Sequence, residues 1–360
     1  MMIPLVEPSD ALMREQLERG ARTSSLPGVG LDGQRRISAA RVLVIGAGGI
    51  GSPALQYLAA AGVGTIGVVD FDTVDLSNLQ RQVIHAGARL GDPKTTSAAR
   101  AIAAIDPSVV VVEHTTTLTA ENALAIFSDY HLVVDGSDNF ATRYLAGDAA
   151  AILGKPYVWG SVLRFDGQVT VFWEGAPDGR SVDYRDLHPV PPEPDGVLSC
   201  AEAGVLGSVC GTIGSMMATE AIKLITGIGD PLLGRVQVMD ALAGEWRELR
   251  LVRSTGRQPV TRLIDYDAFC GVPQFDPALE VEDIPSGWQL IDVREPYEHA
   301  QRHLDGDLLV PLGVLLSDPS KVEGPAVVYC ASGARSNRAA QALSAAGIEA
   351  MSLRGGIALR

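Results

Sequence analysis

A glycine-rich turn is the first feature of the sequence that indicates chemistry. Residues 46–51 read Gly-Ala-Gly-Gly-Ile-Gly and stand between an apolar, strand-like run, Arg41 to Ile45, and a helix-like segment. In this context glycines let backbone amides approach phosphate groups at a helix N-terminus. Asp70 lies 24 residues after Gly46, where it could hydrogen-bond a ribose hydroxyl. On these residues alone, an NAD or FAD site is the favoured interpretation.

A polar set after the second predicted strand changes that interpretation. Asn78, Arg81 and Lys94 supply hydrogen-bond donors and two cations for a triphosphate. Asp135 and Asp138 follow the fourth predicted strand and place carboxylates where a Mg²⁺ ion could sit at the carboxyl ends of the strands. Any one of the cations could be a solvated surface charge. Together they favour ATP chemistry.

A cysteine loop near the end of the chain is the second candidate site. Residues 330–336 read Cys-Ala-Ser-Gly-Ala-Arg-Ser and lie between a predicted strand and a predicted helix, so loop amides and a helix N-terminus should surround the sulfur. Such a setting lowers a thiol pKa and stabilises an anionic sulfur. The spacing from Cys330 to Arg335 is one residue shorter than in a tyrosine-phosphatase loop, which suits a persulfide better than a phosphate. The alternative for Cys330 is a structural cysteine at a strand end.

Alternating strands and helices must position these residues. The pattern predicts an α/β fold with a doubly wound, mostly parallel sheet, and longer strands after Pro156 predict a partly antiparallel extension. A second alternation from Trp288 predicts a small C-terminal α/β domain. We therefore expect an ATP-binding domain over 1–265, a linker over 266–286 and the second domain over 287–360. The predicted strands are 41–45, 65–69, 109–113, 131–134, 158–162, 168–173, 290–293 and 326–329, and the predicted helices are 52–61, 94–105, 205–225, 296–301 and 336–346.

The predicted helix 205–225 carries small residues that should let it pack closely on a neighbour. Gly207, Gly211, Gly214 and Ala218 are expected to lie along one of its faces. The helix also contains Glu220 and Lys223, whose charges favour a packing helix of a globular protein over a membrane helix.

Composition and charge exclude several classes of protein. The chain has 360 residues, 46% of them hydrophobic, with a formal net charge of −14 and a sequence pI near 4.9. It has no basic run that could follow a phosphate backbone, so nucleic acid is not an expected partner. The longest uncharged stretch, Val42 to Val69, resolves into strand, turn, helix and strand, so no membrane partner is expected either. The N-terminus has no signal-peptide core, and four widely spaced cysteines fit a reducing compartment, which predicts a cytoplasmic location.

Several motifs agree in order and spacing with one family. The runs VLVIGAGGIGSP, VDFDTVDLSNLQRQVIH, GDPK, DGSDNFATRY and SCAEAGVLG resemble the MoeB and ThiF family of ubiquitin-activating-type enzymes, across most of residues 12–270. The resemblance implies that ATP and Mg²⁺ convert the C-terminal Gly-Gly carboxylate of a ubiquitin-like sulfur carrier protein, of the MoaD, ThiS or CysO kind, into an acyl adenylate.

The same resemblance implies residue roles. It implies that Asp70 binds the ribose and that Asp138 binds the metal ion. Because the family is dimeric, we expect a homodimer in which Arg22 reaches the phosphates of the partner subunit. The resemblance also implies that the phosphates are bound by three donors, Asn78, Arg81 and Lys94. The full candidate set for binding the cofactor is Gly46, Gly48, Gly49, Gly51, Asp70, Asp72, Asn78, Arg81 and Lys94.

Two positions depart from the family pattern. Many members carry two Cys-x-x-Cys pairs for a structural zinc, but here residues 183–186 read Asp-Tyr-Arg-Asp, and only Cys270 lies near the second position. Four thiolates cannot be assembled there, so we predict no zinc site. The usual Arg-Tyr-x-Arg near the N-terminus reads Arg-Gly-Ala-Arg over residues 19–22.

The cysteine loop, with LIDVREPYEHAQRHLDG upstream of it, resembles the rhodanese family of sulfurtransferases. This implies that Cys330 carries the sulfur and that Arg335 stabilises its negative charge. The order of the two modules matches fused adenylyltransferase-sulfurtransferases of the MoeZ or MoeBR type. We expect the Cys330 persulfide, charged by a donor such as thiosulfate or a cysteine desulfurase, to attack the acyl adenylate and lead to a thiocarboxylate.

Other thiols and imidazoles have less specific expectations. Cys200 is either a second thiol that forms an acyl disulfide or resolves the persulfide, or a buried cysteine at a helix start. Cys210 is expected in the core. Surface or structural roles, not metal binding, are expected for His85, His188, His299 and His303. Two other functions stay open: an NAD-dependent oxidoreductase, and a non-catalytic binding protein that has kept both folds.

Overall fold

The computed structural model describes residues 3–177, 179–192, 204–271 and 275–360. The chain divides into two compact units, residues 1–270 and 271–360. No helix within the described ranges is both long enough and apolar enough to cross a bilayer.

The first unit is built on an eight-stranded sheet with the order β3-β2-β1-β4-β5-β6-β7-β8. The first five strands run parallel to one another, and the last three extend the sheet in antiparallel fashion. The predicted mostly parallel sheet with an antiparallel extension is confirmed. The strands are β1 (Arg41–Ile45), β2 (Thr65–Val69), β3 (Val110–His114), β4 (Leu132–Asp135), β5 (Tyr157–Leu163), β6 (Asp166–Phe172), β7 (Arg235–Asp240) and β8 (Glu245–Arg250).

The position of β1 creates a crevice in this sheet. The chain winds outward from β1 through β2 to β3 on one side and returns to the other side through β4. At such a switch point the loops after neighbouring strands diverge and leave a cleft beyond their carboxyl ends. The helices are α1 (Arg14–Arg19), α2 (Ala21–Ser24), α3 (Gly30–Ala39), α4 (Gly51–Ala60), α5 (Lys94–Ile105), α6 (Ala123–Ser128), α7 (Phe140–Ile152), α8 (Tyr184–Leu187), α9 (Gly207–Thr226) and α10 (Tyr266–Phe269).

The small residues of α9 do not all serve the same contact. A Cβ atom at Gly214 would lie 2.2 Å from the Ile50 carbonyl oxygen, and one at Gly207 would lie 2.5 Å from the Gln80 oxygen. A Cβ atom at Gly211, in contrast, would meet nothing within 4 Å. The prediction of a single close-packed face was therefore wrong for Gly211, because the tight approach to α4 occurs near Gly214.

This difference predicts opposite effects of two identical substitutions in α9. Gly214→Ala should lower the free energy of unfolding by about 1–3 kcal/mol, because the new methyl group has no room between two backbones. Gly211→Ala should leave stability unchanged or raise it by about 0.5–1 kcal/mol through the lower entropy of the unfolded chain. Urea unfolding of the full chain, followed by tryptophan fluorescence, measures both. Equal effects of the two substitutions would contradict the packing described for α9.

The second unit is a smaller, wholly parallel sheet with the order β11-β10-β12-β13-β9. Its buried residues form clusters on the sheet that are separate from the core of the first unit. The strands are β9 (Glu280–Val281), β10 (Gln289–Asp292), β11 (Leu308–Leu309), β12 (Ala326–Tyr329) and β13 (Ala350–Leu353), and the helices are α11 (Pro296–Gln301), α12 (Leu312–Ser317) and α13 (Ala334–Ala345).

Both ends of the predicted linker, residues 266–286, belong to folded units. In α10, the Tyr266 hydroxyl donates a 2.6 Å hydrogen bond to Asp148 of α7, which fixes the start of this segment to the first unit. Near its end, β9 pairs with β13 through Val281 and Leu353. The stretch between the units is therefore shorter than the linker expected from the sequence, because isolated hydrogen bonds order segments that have no periodic pattern.

An internal arginine occupies the region where the sequence carries Asp-Tyr-Arg-Asp in place of a cysteine pair. The Arg257 guanidinium bonds Asp183, lies 2.9 Å from Asp186 Oδ1 and lies 2.7 Å from Glu174 Oε2. The Arg257 side chain is only 8% exposed. Burial raises the pKa of Asp183 to about 6, although the Arg257 charge opposes the rise. One guanidinium thus holds three carboxylates together and links residues 174, 183–186 and 257.

We predict that this region depends on the Arg257 charge. Arg257→Met should lower the free energy of unfolding by about 3–5 kcal/mol, because it leaves buried carboxylates without their partner. Arg253→Met is the matched control: Arg253 also bonds Glu174, at 2.8 Å, but is 39% exposed. Its loss should cost no more than about 1 kcal/mol. Thermal or urea unfolding compares the two variants, and losses of similar size would overturn the assignment.

Candidate functional site

A cleft lies beyond the carboxyl ends of β1, β2 and β4, where the switch in strand order places it. Its lining includes most of the residues predicted to bind the cofactor, together with Asp138. The predicted residues that line it are Gly46, Gly48, Gly49, Asp70, Asp72, Arg81, Lys94 and Asp138. Gly51, Asn78 and Arg22 are not part of this lining.

The glycine turn brings α4 unusually close to the end of β1. Gly46 has a φ of +80°, a conformation that side chains other than glycine rarely adopt. A Cβ atom at Gly51 would lie 1.8 Å from the Gly46 carbonyl oxygen. Gly51 is therefore a packing residue that lets the helix start against the turn. The helix α4 accordingly begins at Gly51, one residue before the predicted start at 52.

Asp70 fixes the loops on either side of the cleft. Its Oδ2 accepts a 2.8 Å hydrogen bond from the Ala47 amide, and its Oδ1 accepts a 2.9 Å bond from the Asp72 amide. Burial raises the pKa of this carboxyl, and the nearby Lys94 charge opposes the rise. Each carboxylate oxygen has more than one lone pair, so Asp70 can still accept a hydroxyl of a bound ligand.

The His85 side chain contacts the backbone of the glycine turn at Ala47. Its Nε2 lies 2.9 Å from the Ala47 carbonyl oxygen and its Nδ1 lies 2.9 Å from Ser97 Oγ. Burial lowers the pKa of His85, which favours the neutral ring with Nε2 donating to the carbonyl and Nδ1 accepting from the hydroxyl. A surface or a structural role was expected for His85, and its contacts are structural, because they connect the turn to α5.

Cations and carboxylates face one another in the cleft. Lys94 is 5% exposed, and its Nζ bonds Asp72 Oδ2 at 2.7 Å. Arg81 donates to the Ser77 carbonyl at 3.2 Å. Arg143, which sequence reasoning did not single out, also lines the cleft and donates to the Ser137 carbonyl at 3.0 Å. Arg143 lies within the motif DGSDNFATRY, so the sequence did contain a signal that could have identified it as a site residue.

The two aspartates after β4 have different surroundings. Asp138 is exposed at the cleft, whereas Asp135 is fully buried and is not part of the lining. Asp135 accepts hydrogen bonds from the Tyr157 hydroxyl and, at 2.8 Å, from the Ser137 amide, and burial raises its pKa. Asp135 therefore fixes the turn and does not join Asp138. One exposed carboxylate at a cleft is a donor that suits Mg²⁺, because this ion is commonly bound by one or two carboxylates together with water and ligand phosphates.

Further lining residues were not predicted. Phe71 is 63% exposed and offers an aromatic face at the cleft. Cys210 is buried, as expected, but its sulfur also lines the cleft, and a Cβ atom at Gly49 would lie 3.0 Å from it. The strand-end residues 116–118 complete the side next to β3.

The remaining predicted residues lie apart from the lining. Asn78 ends a short 3₁₀ turn, and its carbonyl accepts hydrogen bonds from the amides of Arg81 and Gln82, so its backbone shapes the segment that carries Arg81. Arg22 is exposed on α2. Cys200 lies outside the described residues.

In the second unit, a tight loop after β12 holds the Cys330 sulfur. The Gly333 amide donates to Sγ at 3.1 Å, and the Ser336 hydroxyl lies 3.6 Å from it. The helix α13 begins at Ala334, so Sγ lies at its N-terminal end. Both features favour a negative charge on sulfur.

Arg335 is held beside this loop by a carboxylate. Its two terminal nitrogens bond the oxygens of Glu298 at 2.8 and 2.7 Å. The hydrogen bonds to Glu298 raise the pKa of Arg335, and the nearby Cys330 adds to the effect. Burial opposes ionisation of Glu298, yet its bonds to Arg335 lower its pKa overall. The guanidinium is thus fixed as a permanent cation next to the sulfur loop.

The last turn of the chain closes the loop from the other side. The Ile357 amide donates to the Cys330 carbonyl at 2.8 Å, and the Ala358 amide donates to the Ala331 carbonyl at 3.1 Å. Gly356 has a φ of +60°, and a Cβ atom there would lie 2.3 Å from the Cys330 carbonyl oxygen. Sequence reasoning gave no role to Gly356.

The chain belongs to the ThiF family, whose model matches residues 21–260, and residues 278–359 match the model of the rhodanese-like domain. The resemblance drawn from the motifs is therefore confirmed. The probable adenylyltransferase/sulfurtransferase MoeZ of Mycobacterium tuberculosis is 51% identical to it over 372 residues, covering 98% of this chain and 95% of that protein. The sulfur carrier protein adenylyltransferase of Thermus thermophilus is 49% identical over 266 residues, covering 72% of this chain and 98% of that protein.

Solved structures share the fold at much lower identity. A crystal structure of E. coli MccB with AMPCPP and MccA has a TM-score of 0.60 and 18% identity, covering 70% of this chain and 76% of that chain. The PaaA structure has a TM-score of 0.58 and 21% identity, covering 68% of this chain and 76% of that chain. Likeness at these identities concerns the fold alone.

The contact between the last turn and the cysteine loop can be tested with two glycines. Gly356→Ala should cost about 1–3 kcal/mol of overpacking against the Cys330 carbonyl, in addition to the strain of its positive φ. Gly347→Ala is the control, because Gly347 has a φ of +82° but a Cβ atom there would meet nothing within 4 Å. Hydrogen exchange of the full chain should therefore speed up in residues 330–337 and 354–360 only in Gly356→Ala. Similar exchange in both variants would show that the turn does not hold the loop.

Proposed function

We propose that the protein adenylates the C-terminal Gly-Gly carboxylate of a ubiquitin-like sulfur carrier protein and then transfers sulfur to it from Cys330. The observation that carries this proposal is the cleft at the switch point, where Arg81, Lys94 and Arg143 surround a glycine turn beside the exposed Asp138. A triphosphate with its Mg²⁺ ion uses both the basic donors and the exposed Asp138, whereas the pyrophosphate of NAD needs no metal ligand, so the cleft favours ATP over NAD. The names of the relatives from M. tuberculosis and T. thermophilus support the same activity.

In the first step, a carboxylate oxygen of the carrier attacks the α-phosphorus of ATP. The bond from that phosphorus to the bridging oxygen breaks, and pyrophosphate leaves with the electron pair. Arg81, Lys94 and Arg143 stabilise the negative charge that the transition state spreads over the phosphates. Asp138 would hold Mg²⁺, whose chemistry there is to neutralise charge on the leaving pyrophosphate. Asp70 and the Ala47 amide keep the turn in the shape that receives the nucleotide.

The Lys94–Asp72 pair has to rearrange when phosphates arrive. Lys94 is nearly buried and already bonded to a carboxylate, so it is positioned before any ligand binds. A phosphate oxygen that approaches the Lys94 ammonium group, with its three donor positions, competes with Asp72 for them. Asp72 thus acts as a positioning residue for the lysine. Arg22 is exposed and basic, and we propose that it serves the cleft of the partner subunit in a homodimer.

In the second step, the terminal sulfur of a Cys330 persulfide attacks the acyl carbon, and AMP leaves. This gives an acyl disulfide between the carrier and Cys330. A thiol then attacks the Cys330 sulfur, the sulfur–sulfur bond breaks, and the carrier leaves as a thiocarboxylate while the thiol and Cys330 form a disulfide. Cys200 is a candidate for that thiol. Gly333, Ser336 and Arg335 stabilise the anionic forms of the Cys330 sulfur.

Two variants separate the two steps. Asp138→Ala should reduce carrier-dependent exchange of pyrophosphate into ATP by at least about 100-fold, since it removes the metal ligand from the charge-stabilising set. Cys330→Ala should leave this exchange intact but stop thiocarboxylate formation, because it removes only the sulfur carrier. The assays are radiolabelled pyrophosphate exchange and mass spectrometry of a Gly-Gly-ended carrier incubated with enzyme, Mg-ATP and thiosulfate.

Asp10→Ala serves as the control for Asp138→Ala, because Asp10 is exposed and lies outside the cleft lining. It should retain full exchange. Loss of exchange in Cys330→Ala would contradict the separation of the steps. Absence of exchange in the unmodified protein with every carrier tested would favour the binding-protein alternative, and thermal protection by NAD but not ATP would favour the oxidoreductase.

A further inference from the structure

We propose that His299, His303 and Asp307 of the second unit form a binding site for Zn²⁺. One ligand atom from each of the three side chains lies within 4.8 Å of the other two. His299 belongs to α11, and His303 lies two residues beyond the end of that helix, where the two imidazole rings stack on each other. The surface or structural roles expected for these histidines from the sequence did not anticipate Asp307, which reaches them from the turn before β11.

The distances within the cluster suit a common ion. His299 Nε2 lies 3.1 Å from Asp307 Oδ1. In a tetrahedral zinc site with bonds of about 2.0–2.2 Å, neighbouring ligand atoms lie about 3.3–3.6 Å apart. The two atoms are joined by a hydrogen bond, and they would have to move apart by only about 0.2–0.5 Å to bind one ion. The His303 ring stacks on the His299 ring at 4.3 Å with an angle of 10° between the planes. The ligand nitrogen of His303 lies within 4.8 Å of the other two ligand atoms, and the His303 side chain is exposed.

The groups that surround the cluster orient it for metal binding. His303 Nδ1 bonds the His299 carbonyl oxygen at 3.1 Å. A ring that donates from Nδ1 to a carbonyl keeps the lone pair on Nε2, which is the arrangement found in metal-binding histidines. Asp307 Oδ2 accepts a hydrogen bond from the Tyr329 hydroxyl, so Oδ1 is the oxygen turned to the imidazoles. The Tyr329 hydroxyl in turn accepts a 3.1 Å hydrogen bond from the Leu304 amide, which fixes its position.

Chemistry selects zinc from the common divalent ions. Two imidazoles and one carboxylate suit zinc and its neighbours among the transition metals, whereas Mg²⁺ and Ca²⁺ prefer oxygen ligands throughout. Three protein ligands leave a fourth position for water. The site is distinct from the cysteine-based zinc site of the family pattern, whose positions here are 183–186 and Cys270, and it lies in the other unit.

An ion at this place would fix the helix that positions the sulfur loop. Glu298, which holds Arg335 through two hydrogen bonds, immediately precedes His299 on α11. α11 has only six residues, and none of them is buried. Tying its end to Asp307 and, through Tyr329, to β12 would hold Glu298 and Arg335 in register with Cys330. We therefore assign the ion a positioning role for the cysteine loop, which does not require it to touch the substrate.

Titration of the chelator-treated full chain with ZnCl₂ tests the site. We expect one Zn²⁺ per chain by calorimetry, and slower hydrogen exchange in residues 296–307 after binding. His303→Gln should weaken binding at least about 10-fold, because even the loss of an outer-shell partner costs about 10–100-fold. Tyr329→Phe should weaken it within that range. His303 is exposed, so its replacement should not disturb folding, which circular dichroism verifies.

Two controls distinguish this site from zinc bound elsewhere. Cys330→Ala should bind zinc as the unmodified protein does, and His114→Gln, a histidine of the first unit, should do the same. Co²⁺ should give the visible absorption of a tetrahedral site without the near-ultraviolet band of a cobalt–thiolate bond. The proposal is overturned if the unmodified protein binds no zinc, if His303→Gln binds it equally well, or if Cys330→Ala abolishes binding.

Discussion

The close crossing of α4 over the end of β1 is the constraint on which the cleft of the first unit depends. It requires glycine at Gly51, where any side chain would collide with the Gly46 carbonyl, and a left-handed conformation at Gly46 itself. Because the helix starts this close to the strand, its first amides point into the space beyond the sheet. Asp70 and His85 then hold the intervening Ala47 from two sides.

In three places, carboxylates hydrogen-bond a cationic side chain and fix its orientation. Lys94 is paired with Asp72, Arg335 with Glu298, and Arg257 with three acidic residues. In the first two cases the cation lies at a candidate site, and the pairing restricts its orientation before a ligand arrives. In the third the cation links segments of the fold. The chain has 43 Asp and Glu residues against 29 Lys and Arg residues, so carboxylates are available to pair with these cations.

The parts of the fold that the sequence predicted are those with strong local signals. Lys94–Ile105 and Ala326–Tyr329 were predicted with their observed bounds, because each has a regular apolar pattern and clear end residues. The strands Arg235–Asp240 and Glu245–Arg250 were missed. The second of them is exposed throughout, so burial leaves no alternation in its sequence.

Some residues of the candidate sites could likewise be predicted from local sequence, and others could not. Gly46, Asp70 and Lys94 follow from the spacing of motifs, and Arg143 lies inside one of those motifs. His85 and Gly356, in contrast, act through contacts with residues distant in sequence. The separation of Asp135 from Asp138 could not be predicted either. It depends on Tyr157 of the neighbouring strand, whose hydroxyl holds Asp135 inside the core.

The bond between Lys94 and Asp72 has a consequence for which solutes can enter the cleft. A simple anion that approaches Lys94 must compete with a carboxylate already in place, and one interaction is exchanged for another with little net gain. A polyphosphate engages several donors at once and so gains more than it displaces. Asp72 therefore weakens the binding of any anion that contacts Lys94 alone. We expect the cleft to prefer anions that bind several of its donors at the same time.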